Sequence, residues 1–279
     1  MTTMNYSVCN ELFGTMELRD AACIIRQEGY SGIEFAPYTI FGDFSPGAIR
    51  AGIRESREVL DGEGLAFVGF HWLLAKPDGL HVASPDKATR AKTIEHLKLL
   101  ADCAGELGGG VLVFGSPRQR GSSPGVTKIQ AEAALVDALR EVAPRVASCG
   151  SSILVESLSP EQTDVVNTLA QAASCAQAAH SPAVASMFDF RNVSSEAEPW
   201  DTLLERHYGS IRHVHANEID GRAPGTGKSD YLPAFRTLMA HGYGGWISVE
   251  IFEITPDPGK ILGDSMALFV GLEKQGGSP

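Results

Sequence analysis

The chain has 279 residues, 43% of them hydrophobic and 20% charged, with a formal net charge of −11. This is globular composition, long enough to bury a large core in one or two domains without disulfides or structural metal. The acidity is spread rather than run together, which argues against the basic face of a nucleic-acid binder.

Five cysteines, Cys9, Cys23, Cys103, Cys149 and Cys175, lie far apart with no CxxC pair. They read as free thiols of a reducing compartment, not as a disulfide framework or a Cys-held zinc. The start, MTTMNYSVCNELFG, lacks the basic and long apolar stretches of a signal peptide. No apolar run reaches the roughly 18 residues of a membrane span. The expectation is a soluble, cytoplasmic protein that binds neither membrane nor nucleic acid.

Along the chain, short apolar runs rich in β-formers alternate with longer segments of helical period. The candidate strands are YSVCN (6–10), GIEFA (32–36), LAFVGFHWL (65–73), VLVFGS (111–116), SILVESL (152–158), VASMFDF (184–190), IRHVHANE (211–218) and WISVEIF (246–252). Helical stretches are expected over 20–29, 46–64, 86–109, 127–149, 163–179, 198–208, 230–241 and 257–274. In the third of these, Ile94, Leu97, Leu100, Ala101 and Ala104 recur at three- and four-residue steps, the stripe of a helix packed on a sheet. Gly108 and Gly109 follow where a left-handed C-cap is wanted.

Eight such units predict an α/β fold, a (β/α)8 TIM barrel formed as a single domain over residues 1–279. A doubly wound open sheet is the competitor, but no GxGxxG follows the first strand. GKS at 227–229 suggests a phosphate loop, yet Arg222 stands where the first glycine of that motif is required. The longest irregular stretches, 37–46, 74–85, 117–126 and 219–229, each follow a strand. On a barrel they would share the C-terminal rim, where barrel enzymes build active sites.

The last four candidate strands each carry an ionisable residue among apolar neighbours: Glu156, Asp189, His215 and Glu250. Barrel strands are buried on both faces, and an isolated buried carboxylate is very costly. Each residue alone could be a hydrogen-bond partner for a loop, and His215 a core histidine. Recurrence at one height on four successive strands calls for a shared explanation, and a divalent cation provides one. The oxygen-rich set suits Mn²⁺ first, or Mg²⁺, and the imidazole admits Co²⁺, Zn²⁺, Fe²⁺ or Ni²⁺. His213 shares a strand face with His215 and is expected to support it from behind, or to pack.

The order Glu, Asp, His, Glu, with the pieces ILVESL, MFDF, HVHANEIDGRAPGTGKSDY and GYGGWISVEIF, resembles the xylose isomerase-like TIM-barrel superfamily. Within it the chain resembles the sugar (phosphate) isomerase/epimerase group that includes ketose 3-epimerases and inosose-processing enzymes. The resemblance spans the chain and is closest over 150–255. It implies that Glu156 and Glu250 bind the metal and flank the substrate, one removing a proton next to a carbonyl and the other returning it. It also implies that Asp189 and His215 serve as ligands only, and that the metal stabilises an enediolate. Ketose 3-epimerases often carry a histidine three residues after the strand-six Asp. Here that position is Asn192, which is expected to stand behind the ligands. Gly221 falls where their loop arginine is expected, with Arg222 beside it. These departures point away from a simple free ketose.

Substrate contacts are expected from Glu34, His71, Arg118, Arg120, Arg222 and Trp246, with Trp72 as a further apolar platform and Asn10 as a weaker candidate. Arginine forks suit carboxylate, phosphate or polyhydroxyl groups, though solvated or structural roles fit the same residues. The function expected is a metal-dependent isomerase or epimerase of a sugar or keto-sugar. A lyase acting on 3-keto-glycosides, with a second subunit, is one alternative, and a non-catalytic sugar-binding barrel is the other. A homo-dimer or tetramer is usual among relatives.

Overall fold

Eight parallel strands close into a barrel in strict chain order, the last pairing with the first, in a computed structural model that describes residues 4–254 and 256–276. The elements are β1 (Asn5–Cys9), α1 (Leu18–Gln27), β2 (Gly32–Phe35), α2 (Pro37–Ile40), α3 (Pro46–Glu63), β3 (Ala66–Phe70), α4 (Lys87–Glu106) and β4 (Val111–Phe114). They continue with α5 (Lys128–Ser148), β5 (Ser152–Val155), α6 (Leu169–Ala178), β6 (Val184–Asp189), α7 (Trp200–His207), β7 (Ile211–Ala216), α8 (Leu232–Ala240), β8 (Trp246–Val249) and α9 (Pro258–Gly276). This is the single (β/α)8 barrel that the alternation predicts.

Local chemistry sets the joints. Ser45 caps α3 by accepting from the Ala48 N–H, with Pro46 as the first helical residue. Asp86 caps α4 through the N–H groups of Ala88 and Thr89. Reciprocal capping boxes open α5 (Thr127 with Gln130) and α6 (Thr168 with Gln171). Past α4, Gly109 has φ +83, and a Cβ there would lie 2.6 Å from the Gly150 carbonyl oxygen. Only glycine suits that turn.

Alternation in each strand divides the burial. Ile33, Phe35, Leu112, Phe114, Ile153, Val155, Ile247 and Val249 join the large core between barrel and helices. The intervening positions face the barrel axis, where Val113, Leu154, Ala185 and Met187 form a small apolar cluster of their own. On the other side of the axis stand Ser7, Glu34, His213 and Ser248, all fully buried. The barrel is therefore apolar inside beneath β4–β6 and polar inside beneath β1, β2, β7 and β8.

Several expected boundaries differ. The helix expected over 163–179 begins at Leu169, because Thr168 caps it. Val165 and Val166, inside that expected stretch, are buried loop residues instead. The stretch 37–46 contains the short α2. The third strand stops at Phe70 rather than 73, and the fifth at Val155 rather than 158. His71, Glu156 and Glu250 thus stand one step beyond their strands, each still tied by its N–H to the neighbouring strand (Phe35, Phe114 and Ala216), at the mouth.

Two expected substrate contacts are corrected by position. Arg120 does not reach the rim. It is fully buried and donates to the carbonyls of Phe114, Glu156 and Val166, because the β4 loop folds back and the five-donor guanidinium gathers carbonyls at the end of the sheet and in the loops beyond it. Trp246 opens β8 opposite Asn5 and His213, at the N-terminal end of the barrel. It packs over Gly32, far from the C-terminal mouth.

Replacing Arg120 by Met should take a donor from each of those three carbonyls, of which Phe114 and Val166 keep the N–H groups of Glu156 and Leu158. The expected loss is about 3 kcal/mol, which lowers Tm by roughly 6–12 °C in a chain of this size. Thermal unfolding followed by circular dichroism checks it, and a Tm within about 2 °C of the parent would contradict the structural role.

Candidate active site and metal centre

The side chains of Glu156, Asp189, His215 and Glu250 meet at the C-terminal mouth, all buried, each offering one ligand atom within 4.8 Å of the others. Their positions follow from register: Asp189 lies opposite His215 across β6 and β7. Gly115 leaves the space that Glu156 fills, since a Cβ there would collide with the Glu156 carboxylate.

His215 links two levels of the barrel. Its Nε2 lies 3.1 Å from Glu34 Oε1, so the ring donates downwards. Its Nδ1 points to Glu250 Oε2 at 3.4 Å and Asp189 Oδ2 at 3.8 Å and makes no hydrogen bond. A buried imidazole with one nitrogen tethered to a carboxylate and the other lone pair facing acids has the arrangement that presents a histidine to a cation.

Below it, Glu34 is wholly enclosed and also accepts from His213 Nε2 at 2.8 Å and from the Ser248 hydroxyl at 2.6 Å. Ser248 in turn shares a 2.6 Å hydrogen bond with Ser7. Burial works to raise the Glu34 carboxyl, but the two imidazoles outweigh it and hold it well below the usual range. Expected as a substrate contact, Glu34 instead lies beneath the histidines. It sits on the inward face of β2 level with Cys9, one layer below the mouth.

Above, burial and the neighbouring acids Asp189 and Glu250 push the Glu156 carboxyl up to about 8, and burial with Glu250 pushes Asp189 up to about 6. Burial opposes a charged His215, yet Glu34 and Glu250 carry its imidazole well above the ordinary value. The three acids thus draw positive charge to one point, and a bound dication would supply it and displace the proton. Three carboxylate oxygens and one imidazole nitrogen fit Mn²⁺ or Mg²⁺ first.

Asparagines fix the carboxylates. Asn192 donates from Nδ2 to Glu156 at 2.9 Å, and its backbone N–H donates to Asp189 at 2.7 Å. Asn217 donates to Asp189 at 3.0 Å and to Glu250 at 3.4 Å. Sequence reasoning missed Asn217, although the period-two run His213, His215, Asn217 places it on the same face. Glu11 was also missed: its Oε1 lies 2.5 Å from His71 Nε2, while His71 Nδ1 faces Glu34 at 3.4 Å. Burial lowers the basicity of His71, but Glu11 and then Glu34 raise it to about 10. His71 borders the cleft above Glu156 and Glu250, as do Trp72, Gln162 and Phe252.

The remaining rim residues are placed differently. Arg118 is exposed on the wall of a neighbouring cavity. Arg222 is exposed and paired with Asp220 at 2.8 Å. Asn10 accepts from the Ala36 N–H and donates to Thr39, tying loops together. The GKS stretch closes on a carboxylate of the protein itself. Glu218 accepts from the Gly225 N–H at 2.9 Å and the Ser229 hydroxyl at 2.5 Å, so those donors are not offered to a phosphate.

Comparison with known proteins places the barrel among sugar-modifying relatives. The family described as "Xylose isomerase-like TIM barrel" matches residues 24–270. Fructoselysine 3-epimerase of Escherichia coli O157:H7 is 23% identical over 233 residues, covering 80% of this chain and 81% of that protein. Ketose 3-epimerase of Arthrobacter globiformis is 25% identical over 212 residues, covering 73% and 71%. The crystal structure of 3-keto-D-glucoside 4-epimerase from E. coli superposes with a TM-score of 0.82 at 20% identity, covering 96% of this chain and all of that one. No helix among the described residues is long and apolar enough to cross a membrane.

Metal-stripped protein given Mn²⁺ at about one hundred times its dissociation constant should gain about 2.7 kcal/mol, a Tm rise of roughly 5–10 °C. Asp189→Ala should remove the response. Glu34→Gln, which loosens the hold on His215, should weaken Mn²⁺ binding about 10–100-fold. Calorimetric titration and thermal unfolding read both, and a wild-type Tm indifferent to Mn²⁺, Mg²⁺, Co²⁺ and Zn²⁺ would refute the metal centre.

Proposed function

Because the chain belongs to the xylose isomerase-like TIM barrel family, we propose that it is a divalent-metal-dependent epimerase or isomerase of a sugar or keto-sugar. The observation that carries this reading is the convergence of Glu156, Asp189, His215 and Glu250 at the barrel mouth. The epimerase names of the relatives support the same class of chemistry.

Glu156, Asp189, Glu250 and the Nδ1 of His215 would hold the ion, which when bound would draw charge onto a carbonyl oxygen and its neighbouring hydroxyl and so acidify the C–H between them. The protein's own groups then move the proton. Glu156 and Glu250 come from strands three apart around the barrel, so a substrate in the cleft between them meets a carboxylate on each side. One takes the proton from the carbon next to the carbonyl, and the other returns one. Return to the opposite face of the same carbon inverts it, and return to the adjacent carbon exchanges aldose and ketose.

Geometry must be fixed for this to be efficient. Asn192, itself part of the cleft wall, and Asn217 hold the two carboxylates. Gln162 holds Asn192 in turn at 2.6 Å. His71, kept protonated by Glu11 and Glu34, turns both ring nitrogens to those acids and brings a positive charge to the cleft edge. Phe252, with Arg191 stacked on its ring at 4.8 Å, covers the same cleft and shields the reacting carbon from water.

The test is a panel of ketoses, inososes and 3-keto-glycosides with Mn²⁺ in deuterated water, followed by NMR. Deuterium should enter one carbon next to a carbonyl. Glu156→Gln and Glu250→Gln should each reduce exchange by about 10²–10⁴-fold. Near-native exchange in either variant would overturn the two-carboxylate scheme.

A further inference from the structure

Next to the carboxylate cleft the rim opens into a cavity of about 610 Å³. Trp72, Pro117 and Gln162 line both spaces, so the cavity is a continuation of the cleft rather than a separate hollow. Its outer wall adds Tyr38, Lys76 and Arg118. The volume lies in the range filled by drug-sized ligands, roughly 300–1,000 Å³. A single sugar ring whose oxygens reach the carboxylates would leave much of it to water.

The lining has a definite chemistry. Trp72 is held at φ +51, a left-handed conformation that bulky residues rarely adopt, and its half-buried ring forms the shared wall. Tyr38 and Pro117 add further flat apolar faces. Lys76 is tied to Asp78 at 2.9 Å, whereas Arg118 pairs with no acid among the described residues and keeps a planar guanidinium free to stack on a ring. From Gln162 a chain of hydrogen bonds leads inward, through Asn192 at 2.6 Å and on to Glu156 at 2.9 Å. What fills the cavity therefore touches Gln162, which holds the asparagine that steadies a reacting carboxylate.

We propose that the substrate is a conjugated sugar, a keto-sugar ring carrying an aromatic aglycone, whose ring lies over the carboxylates and whose aglycone occupies the cavity between Trp72 and Arg118. This rests on the function proposed above and names the class of molecule that site takes. Aromatic stacking and a cation over the ring supply the preference for a flat aglycone.

The probes are 4-nitrophenyl and methyl 3-keto-β-D-glucopyranoside and free 3-keto-D-glucose. Affinity is read by calorimetry on Mn²⁺-loaded Glu156→Gln protein, which binds without turning over, and exchange by NMR on the wild type. The aryl glycoside should bind about tenfold tighter than the methyl glycoside and the free sugar. Trp72→Ala and Arg118→Ala, the latter at an exposed position where folding is not at stake, should each bring the three ligands within about twofold of one another. Equal affinities, including no binding by any probe, or a preference that survives both substitutions, would overturn the cavity's role. Preferential binding without deuterium exchange in the wild type would uphold the cavity and reject the proton-transfer chemistry, so the two readings fail separately.

Discussion

Everything polar inside this barrel is organised by one imidazole with two obligations. His215 gives its Nε2 to Glu34 below and turns its Nδ1 to Asp189 and Glu250 above. The lower acid is well compensated: two histidines and a serine hydroxyl surround Glu34, and its charge is stable although no water reaches it. The upper acids are not. Asp189 and Glu250 share Asn217, Glu156 has Asn192, and beyond these neutral donors the positive charge nearby is chiefly that of His215, with Arg120 acting on Glu156 and His71 on Glu250. Buried carboxylates in that state cost free energy unless a cation joins them. The packing that fixes Glu34 would therefore also bear on how strongly the mouth holds a cation.

The barrel and its metal-ligand candidates were legible in the sequence for the same reason. Parallel strands covered on both faces must be short apolar runs, so a charge such as Asp189 in VASMFDF stands out as an exception that needs a cause. Boundaries were harder to read. A strand ends where its ladder ends, and apolar residues such as Leu73 or Leu158 continue past that point because the loops are buried too.

Errors of placement came from reading residue type instead of layer. Glu34 was assigned to the mouth because it closes its strand. Its register opposite Cys9, and the level of the histidines three strands away around the closed barrel, set it one layer deeper. Trp246 suggested a sugar platform, yet it opens β8 rather than ending it, and an opening residue lies at the other end of the barrel. Arg120 was expected as a substrate contact at the rim. The loop's return over the sheet, which no local pattern reveals, turns it into a buried clasp on three carbonyls. Asn217, by contrast, was available from alternation alone.

The division of the barrel interior bears on how two chemically identical carboxylates could act differently. Beneath Glu156 and Asp189 lies the apolar floor of Val113, Leu154, Ala185 and Met187, which offers no donor, so stabilisation of Glu156 must come from the side, through Asn192 and Gln162. Beneath Glu250 lies the polar floor, with His215 and Ser248 on the adjoining inward positions, and His215 lowers its carboxyl even against burial. A bound dication would add the same charge near both acids, but it would not change the floor under either. The side chains that make up that floor are fixed by strand parity, so the asymmetry is a property of the fold. An acid and a base that exchange roles across one substrate need environments that differ. Here the difference begins a full layer below the two carboxylates, in the inward residues of β4–β6 against those of β1, β2, β7 and β8.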